Sequence, residues 1–126
     1  MRIKLSIPLS LAEIARASGA ISHTKKENPL IEYICTDTRE LYSRDLFIAL
    51  KGKSFDGENF LAMAKNIGAY TMSTRCESDI RVSATDIALI TLASAYKRKL
   101  PLREIIAITG SNGKTTTREL LDALFS

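Results

Sequence analysis

"LIEYICTDTRELYSRDLFIAL", residues 30–50, is the stretch on which the fold turns. Two apolar, β-rich runs, "LIEYICT" (30–36) and "DLFIAL" (45–50), flank the compact polar connection "DTRELYSR". Apolar runs of this length, bounded by polar turn residues, predict strands buried in a sheet. Upstream, Ser10 stands three residues before Glu13, the spacing of a capping box, and predicts a short amphipathic helix ended by Gly19. Residues 20–30 are polar, with Asn28-Pro29 as a breaker. Downstream, "KGKSFDGE" predicts a loop, "NFLAMAKNIG" a helix closed by Gly68, and "AYTMST" a strand. "SATDIALITLASAYKRK" predicts a longer helix, with Ser83 or Thr85 as cap and Pro101 as stop. Strands alternating with helices predict an α/β domain with a largely parallel or mixed sheet.

The bulk properties narrow the class. A chain of 126 residues, 45% apolar and 25% charged, can bury one core of its own. No apolar run approaches the roughly 20 residues of a membrane span, so no membrane partner is expected. The start, "MRIKLSIPLSLAEIARASGA", lacks an uninterrupted apolar core and carries Glu13 and Arg16, so it reads as part of the fold and not as a signal peptide. A cytoplasmic protein is the expectation. The net charge of +4 is spread along the chain, and its densest cluster, Lys97, Arg98 and Lys99, reads as a solvated helix end. No nucleic-acid partner is expected. Cys35 lies in an apolar run and reads as a small core residue, Cys76 is isolated, and a disulfide between them is not expected. His23, the single histidine, sits in a polar segment and reads as a surface residue, which argues against histidine-based catalysis.

The second informative stretch is "IIAITGSNGKTTTREL", residues 105–120. It predicts a buried strand, a glycine-bearing turn and a helix start, an arrangement whose free backbone N–H groups and helix dipole attract phosphate. Gly110 and Gly113 would let the backbone approach the phosphates, with Ser111 and Asn112 between them. Lys114 would reach the β- and γ-phosphates of ATP, the hydroxyl of Thr115 would bind Mg²⁺, and Thr116 would add a further hydroxyl. The strict phosphate-loop pattern fails, because it requires glycine where Ile108 stands. Spacing alone leaves a plain strand-turn-helix corner with a capping threonine as the alternative. Pro101-Leu-Arg103 is the expected boundary, giving a first domain over 1–102 and the start of a second over 103–126.

At this point the chain resembles the Mur ligases, which build the peptide of bacterial cell-wall precursors. "TGSNGKTTTRE" (109–119) is similar to their shortened ATP-binding loop, most like that of the members adding D-alanyl-D-alanine to UDP-N-acetylmuramoyl-tripeptide. "TDTRELYSRDLFIALKGKSFDGENF" (36–60) is similar to the family's N-terminal signature. Arg44 replaces the usual glycine of that signature, and Glu58 stands where histidine is common. The resemblance implies a small mixed-sheet UDP-binding domain followed by the first strand, phosphate loop and helix of a central ATPase domain. It implies that Thr36, Thr38 and Arg39 lie near the uridine diphosphate, facing Gly52, Lys53 and Ser54. For Asp37, Thr38 and Arg39 a purely structural Asx-type turn with an ion pair is the competing reading, and Asp56-Gly57 reads as a turn before a helix.

The resemblance further implies ATP-dependent amide formation through an acyl phosphate, with Lys114 as the catalytic residue and Mg²⁺ at Thr115 offsetting phosphoryl charge. The chain ends soon after the loop, so this polypeptide alone is expected to lack turnover. The strand expected at 104–109 would be open to pairing with a second copy. The competing classes are another amide ligase of the same superfamily, such as one acting on folate, and a non-catalytic truncated nucleotide-binding module.

Overall fold

The structure, a computed structural model, describes residues 2–51 and 56–97 of the chain. Its elements are β1 (Arg2–Ser10), α1 (Leu11–Ala17), β2 (Ser22–His23), β3 (Leu30–Cys35), β4 (Leu46–Ile48), α2 (Leu61–Ile67), β5 (Tyr70–Ser73), β6 (Ile80–Arg81) and α3 (Thr85–Lys97). A 3-10 helix, Gly57–Phe60, leads into α2. The six strands form one sheet in the order β1-β3-β4-β5-β6-β2. The four inner strands run parallel, and β1 and β2 close the edges antiparallel. The expected α/β domain with a mixed sheet is what forms.

The two runs of residues 30–50 lie side by side, with Ile34 opposite Leu46 and Cys35 opposite Phe47. All of Leu46, Phe47, Ile48 and Ala49 are fully buried. Alternation splits them between the two faces. Leu46 and Ile48 join the larger core with β1, α1 and α3, whereas Phe47 and Ala49 join the smaller core with Leu61 and Ala64 of α2. A strand covered on both faces reads as a continuous apolar run, and burying each large side chain contributes about 1.5–3 kcal/mol.

Local signals place the helices as anticipated. Ser10 and Glu13 form the capping box, the Glu13 amide donating to Ser10 Oγ at 3.2 Å and the Ser10 amide to Glu13 Oε1 at 3.4 Å. The Asn28-Pro29 breaker has a second task. The amide of Leu11 donates to the Pro29 carbonyl at 2.9 Å, and that of Ala12 to Asn28 Oδ1 at 2.9 Å, satisfying otherwise orphaned helix-end donors. Gly68 ends α2 at φ 93°, a left-handed value that favours glycine. In α3 the Ala88 amide donates to the Ala84 carbonyl, with Thr85 as the first helical residue.

Three strands carry no strong signal in the sequence: β1, β2 and β6. Within β1 the pairing with β3 shifts between Lys4 and Leu9, around the exposed Pro8. Proline is tolerated there because β1 is an edge strand. The amide of Ile7, freed by the shift, donates to the phenol oxygen of buried Tyr96 at 2.8 Å, and Ser6 Oγ meets the same oxygen at 2.9 Å. At the start of β4 the Asp45 carboxylate, almost fully buried, accepts from Arg2 Nε at 2.7 Å, Arg2 Nη2 at 3.1 Å and the Tyr42 amide at 3.0 Å. The Arg2 guanidinium lies over the rings of Tyr33 and Tyr42, 3.7 and 4.4 Å from their centroids.

Arg44, just before this ion pair, adopts φ 71°. That region costs a residue with a Cβ about 1 kcal/mol or more. Here is the physical content of the missing glycine in the signature. We expect Arg44→Gly to raise stability by about 0.5–1 kcal/mol in urea denaturation, strain relief exceeding the added chain entropy. A destabilised variant would overturn this account of the turn.

Candidate functional site

Because β3, β4 and β5 run parallel, their carboxyl ends leave the sheet at one edge. Ligands of α/β sheets gather at such an edge, where loops can be reshaped without disturbing the core. Thr36, Thr38 and Arg39 leave β3 there, the chain after β4 passes Lys51, and Thr74 and Arg75 follow β5.

At the β3 exit the predicted Asx-type turn forms. Asp37 Oδ1 accepts from the Arg39 amide at 2.9 Å. The same carboxylate binds the Arg39 guanidinium, with Nε at 3.1 Å from both oxygens and Nη2 at 2.7 Å from Oδ2. These hydrogen bonds from Arg39 hold the Asp37 carboxyl at about 2, below its ordinary 3.8. The Cys35 thiol, buried below, donates to the Asp37 carbonyl at 3.0 Å, and burial raises its pKa. Cys35 is therefore a core residue, as its apolar setting suggests. Thr36 and Thr38 are half-buried, and neither hydroxyl has a hydrogen-bond partner among the described residues. The structure thus places Thr36, Thr38 and Arg39 on one turn, with the Arg39 guanidinium largely occupied by its own neighbour.

At the β4 exit the chain is pinned at both sides of residues 52–55. Lys51 pairs with Asp56 in an antiparallel bridge, and the Gly57 amide donates to the Leu50 carbonyl at 2.7 Å. A Cβ on Gly57 would stand 2.8 Å from that carbonyl oxygen and 2.9 Å from the Ala49 Cα, so only glycine fits. Asp56-Gly57 is the turn before a helix that the sequence suggests, and Asp56 Oδ1 caps it through the Glu58 amide at 3.0 Å. Gly52, Lys53 and Ser54 lie outside the described residues, as do Gly110, Ser111, Asn112, Gly113, Lys114, Thr115, Thr116 and the whole segment from 103. Among the described residues no cluster of three or more His, Cys, Asp or Glu side chains could hold a metal ion.

Sequence reasoning marked Glu58 only as a departure from the family signature and gave it no role; it is buried and ties two strand exits together. Its Oε2 accepts from the Thr74 amide at 2.8 Å and the Thr74 hydroxyl at 2.5 Å, and its Oε1 meets Lys51 Nζ at 3.0 Å. Burial alone would raise the carboxyl pKa. The hydrogen bonds from Thr74 and Lys51 outweigh it and leave the pKa lowered. The one available signal was its departure from a signature position commonly filled by histidine. Among the described residues, cavities elsewhere include one of about 310 Å³ between α1 and α3 and one of about 340 Å³ beside Arg2, Tyr33 and Arg44 at the amino end of β4.

No family model matches the chain. Over 108 residues it is 40% identical to the UDP-N-acetylmuramoyl-tripeptide–D-alanyl-D-alanine ligase of Synechocystis sp., an alignment covering 79% of this chain and 24% of the relative. The solved UDP-N-acetylmuramoylalanyl-D-glutamyl-2,6-diaminopimelate–D-alanyl-D-alanyl ligase of Acinetobacter baumannii shares the fold at a TM-score of 0.72 and 22% identity, over 98% of this chain and 34% of that one. The MurF ligase of Thermotoga maritima, solved with ADP, matches at a TM-score of 0.54 and 23% identity, over 72% of this chain and 28% of that one. The curated relatives, 36–40% identical over most of this chain, show that it belongs to the Mur ligases, and its fold is the one that the solved ligases share. Within the family it is MurF-like, and it spans about a quarter of the length of the curated relatives it matches.

The turn at Asp37 sets a pH signature. A carboxyl held below its ordinary value contributes stability above pH 3.8, and that contribution is lost as pH falls toward about 2. We expect the Asp37 carboxyl to titrate near 2 by NMR and to move back toward 3.8 in Arg39→Ala. A wild-type midpoint at 3.8 would show that the ion pair does not persist in solution.

Proposed function

We propose that this chain is the UDP-substrate-binding portion, and the beginning of the ATP-binding portion, of a ligase that joins D-alanyl-D-alanine to UDP-N-acetylmuramoyl-tripeptide. The observation that carries the proposal is the 40% identity, over most of the chain, to a ligase of that name. The boundary falls at 102/103 in this reading. Residues 1–102 bind the UDP moiety and residues 103–126 open the nucleotide domain. The protein works in the cytoplasm, on small-molecule substrates.

Each proposed role is carried over from the family motif, and residue chemistry supports it. Thr36 and Thr38 supply hydroxyls that suit uracil edges or phosphate oxygens, and their lack of partners among the described residues leaves them available. Gly52, Lys53 and Ser54 supply loop amides, a hydroxyl and a cation for the diphosphate. Arg39 contributes less directly, because a guanidinium already bound to Asp37 has fewer donors to offer.

For ATP, the segment Gly110–Thr116 provides two glycines for close backbone approach, Lys114 for the β- and γ-phosphates, and the Thr115 hydroxyl for Mg²⁺. This donor set fits a magnesium nucleotide, since Mg²⁺ takes oxygen ligands and keeps much of its water. ATP with Mg²⁺ supplies the phosphoryl group that activates the tripeptide carboxylate toward the amine of the dipeptide. Lys114 stabilises the charge on that phosphoryl group, the role of a fixed cation in a phosphoryl-transfer site.

Two experiments test the reading. Titrating UDP into the chain is expected to shift the amide resonances of Thr36–Arg39 at millimolar ligand. No shift at that edge would overturn the assignment of the UDP site. In the ligase that carries this segment, Lys114→Ala is expected to lower ADP release roughly 100-fold or more. Turnover near the wild-type rate would remove Lys114 from the catalytic role.

A further inference from the structure

Glu58 is costly as a structural residue. A carboxylate at 4% exposure loses its hydration, and an apolar side chain of similar volume would fill the space at no such cost. The turn before α2 does not require it, because Asp56 already caps that turn. What its charge does is hold Lys51. The Lys51 side chain is 58% exposed, yet its ammonium is fixed 3.0 Å from Glu58 Oε1, while the other carboxylate oxygen is locked by the amide and hydroxyl of Thr74.

An ammonium has three donors and Glu58 takes one; Lys51 Nζ makes no other hydrogen bond among the described residues, at the rim where β3 and β4 end. Arg39 at the same rim differs, since its exposed guanidinium is held by Asp37 through both Nε and Nη2. Holding a flexible lysine in place before a ligand arrives removes the ordering cost that binding would otherwise carry.

We propose that Glu58 is a positioning residue of the UDP site, acting through Lys51, which it presents to the diphosphate of the ligand. This rests on the reading that the carboxyl edge of β3–β5 takes UDP. Glu58 belongs to the site through its hold on the lysine, with no contact of its own to ligand.

The test compares UDP with uridine, binding each to the full chain in its wild-type, Glu58→Gln, Lys51→Met and doubly substituted forms. Glu58→Gln retains an acceptor oxygen for Thr74 and the side-chain volume, but loses the charge that holds Lys51. It is expected to weaken UDP binding roughly fivefold while leaving uridine affinity unchanged. Lys51→Met is expected to show the same phosphate-selective loss, and the double variant no further loss. A merely structural residue would not discriminate between the two ligands. The proposal is overturned if folded Glu58→Gln binds UDP as wild type does, or loses UDP and uridine equally. Should Glu58→Gln fail to fold, unchanged UDP binding by Lys51→Met overturns it alone. Wild-type protein that binds no UDP defeats the underlying reading of the edge, an outcome distinct from wild type and variants binding alike.

Discussion

The burial of Leu46–Ala49 on both faces of the sheet is the constraint from which the rest of the arrangement follows. A strand with no solvated face must have a parallel neighbour on each side and a helix layer above and below. β3 and β5 fill the first requirement, and α1 with α3 on one face and α2 on the other fill the second. Once β3, β4 and β5 are parallel, their carboxyl ends must emerge together. Chemistry can then be placed on the emerging loops at little cost to the core, because side chains beyond the last buried residue do not pack between the layers.

Three acid–base pairs show how burial divides labour in this fold. Arg2 and Asp45 lie at the amino end of β4, where a nearly buried carboxylate and a guanidinium sandwiched by Tyr33 and Tyr42 fasten the edge strand to the centre. Asp37 and Arg39 lie two residues apart in an exposed turn, and solvent screening limits what their attraction contributes to stability. Glu58 and Lys51 combine the two situations, a buried acid with an exposed base. The Lys51–Glu58 pair lies, like Asp37–Arg39, at the edge where the strands end, whereas Arg2–Asp45 lies at the amino end of β4.

Much of this was legible in residue order, for reasons of short range. The capping box of Ser10 and Glu13 and the left-handed Gly68 are settled by neighbours within a turn of helix. The Asx-type turn at Asp37 was one of two readings of "DTR", and it forms without excluding the other, since Thr36 and Thr38 stay without partners among the described residues. β1 was harder to read because a proline and a register shift break its alternation, and the missing ladder bond is supplied by Tyr96, roughly ninety positions away in the chain. β2 and β6 pair through only two residues each, too few to leave a pattern.

By itself the sequence determined the class of fold, the helix ends, the buried central strand and the family resemblance, because each of these depends on local periodicity or on an ordered motif. Only the tertiary structure decided that Glu58 is buried and bound to both Lys51 and Thr74, and that Arg44 occupies a left-handed turn beside the Arg2–Asp45 pair. An acidic residue in a polar loop looks solvated until the ends of two strands close around it. The physical reason is that desolvation and pairing are set by what packs from elsewhere in the chain, and no window of neighbouring residues carries that information.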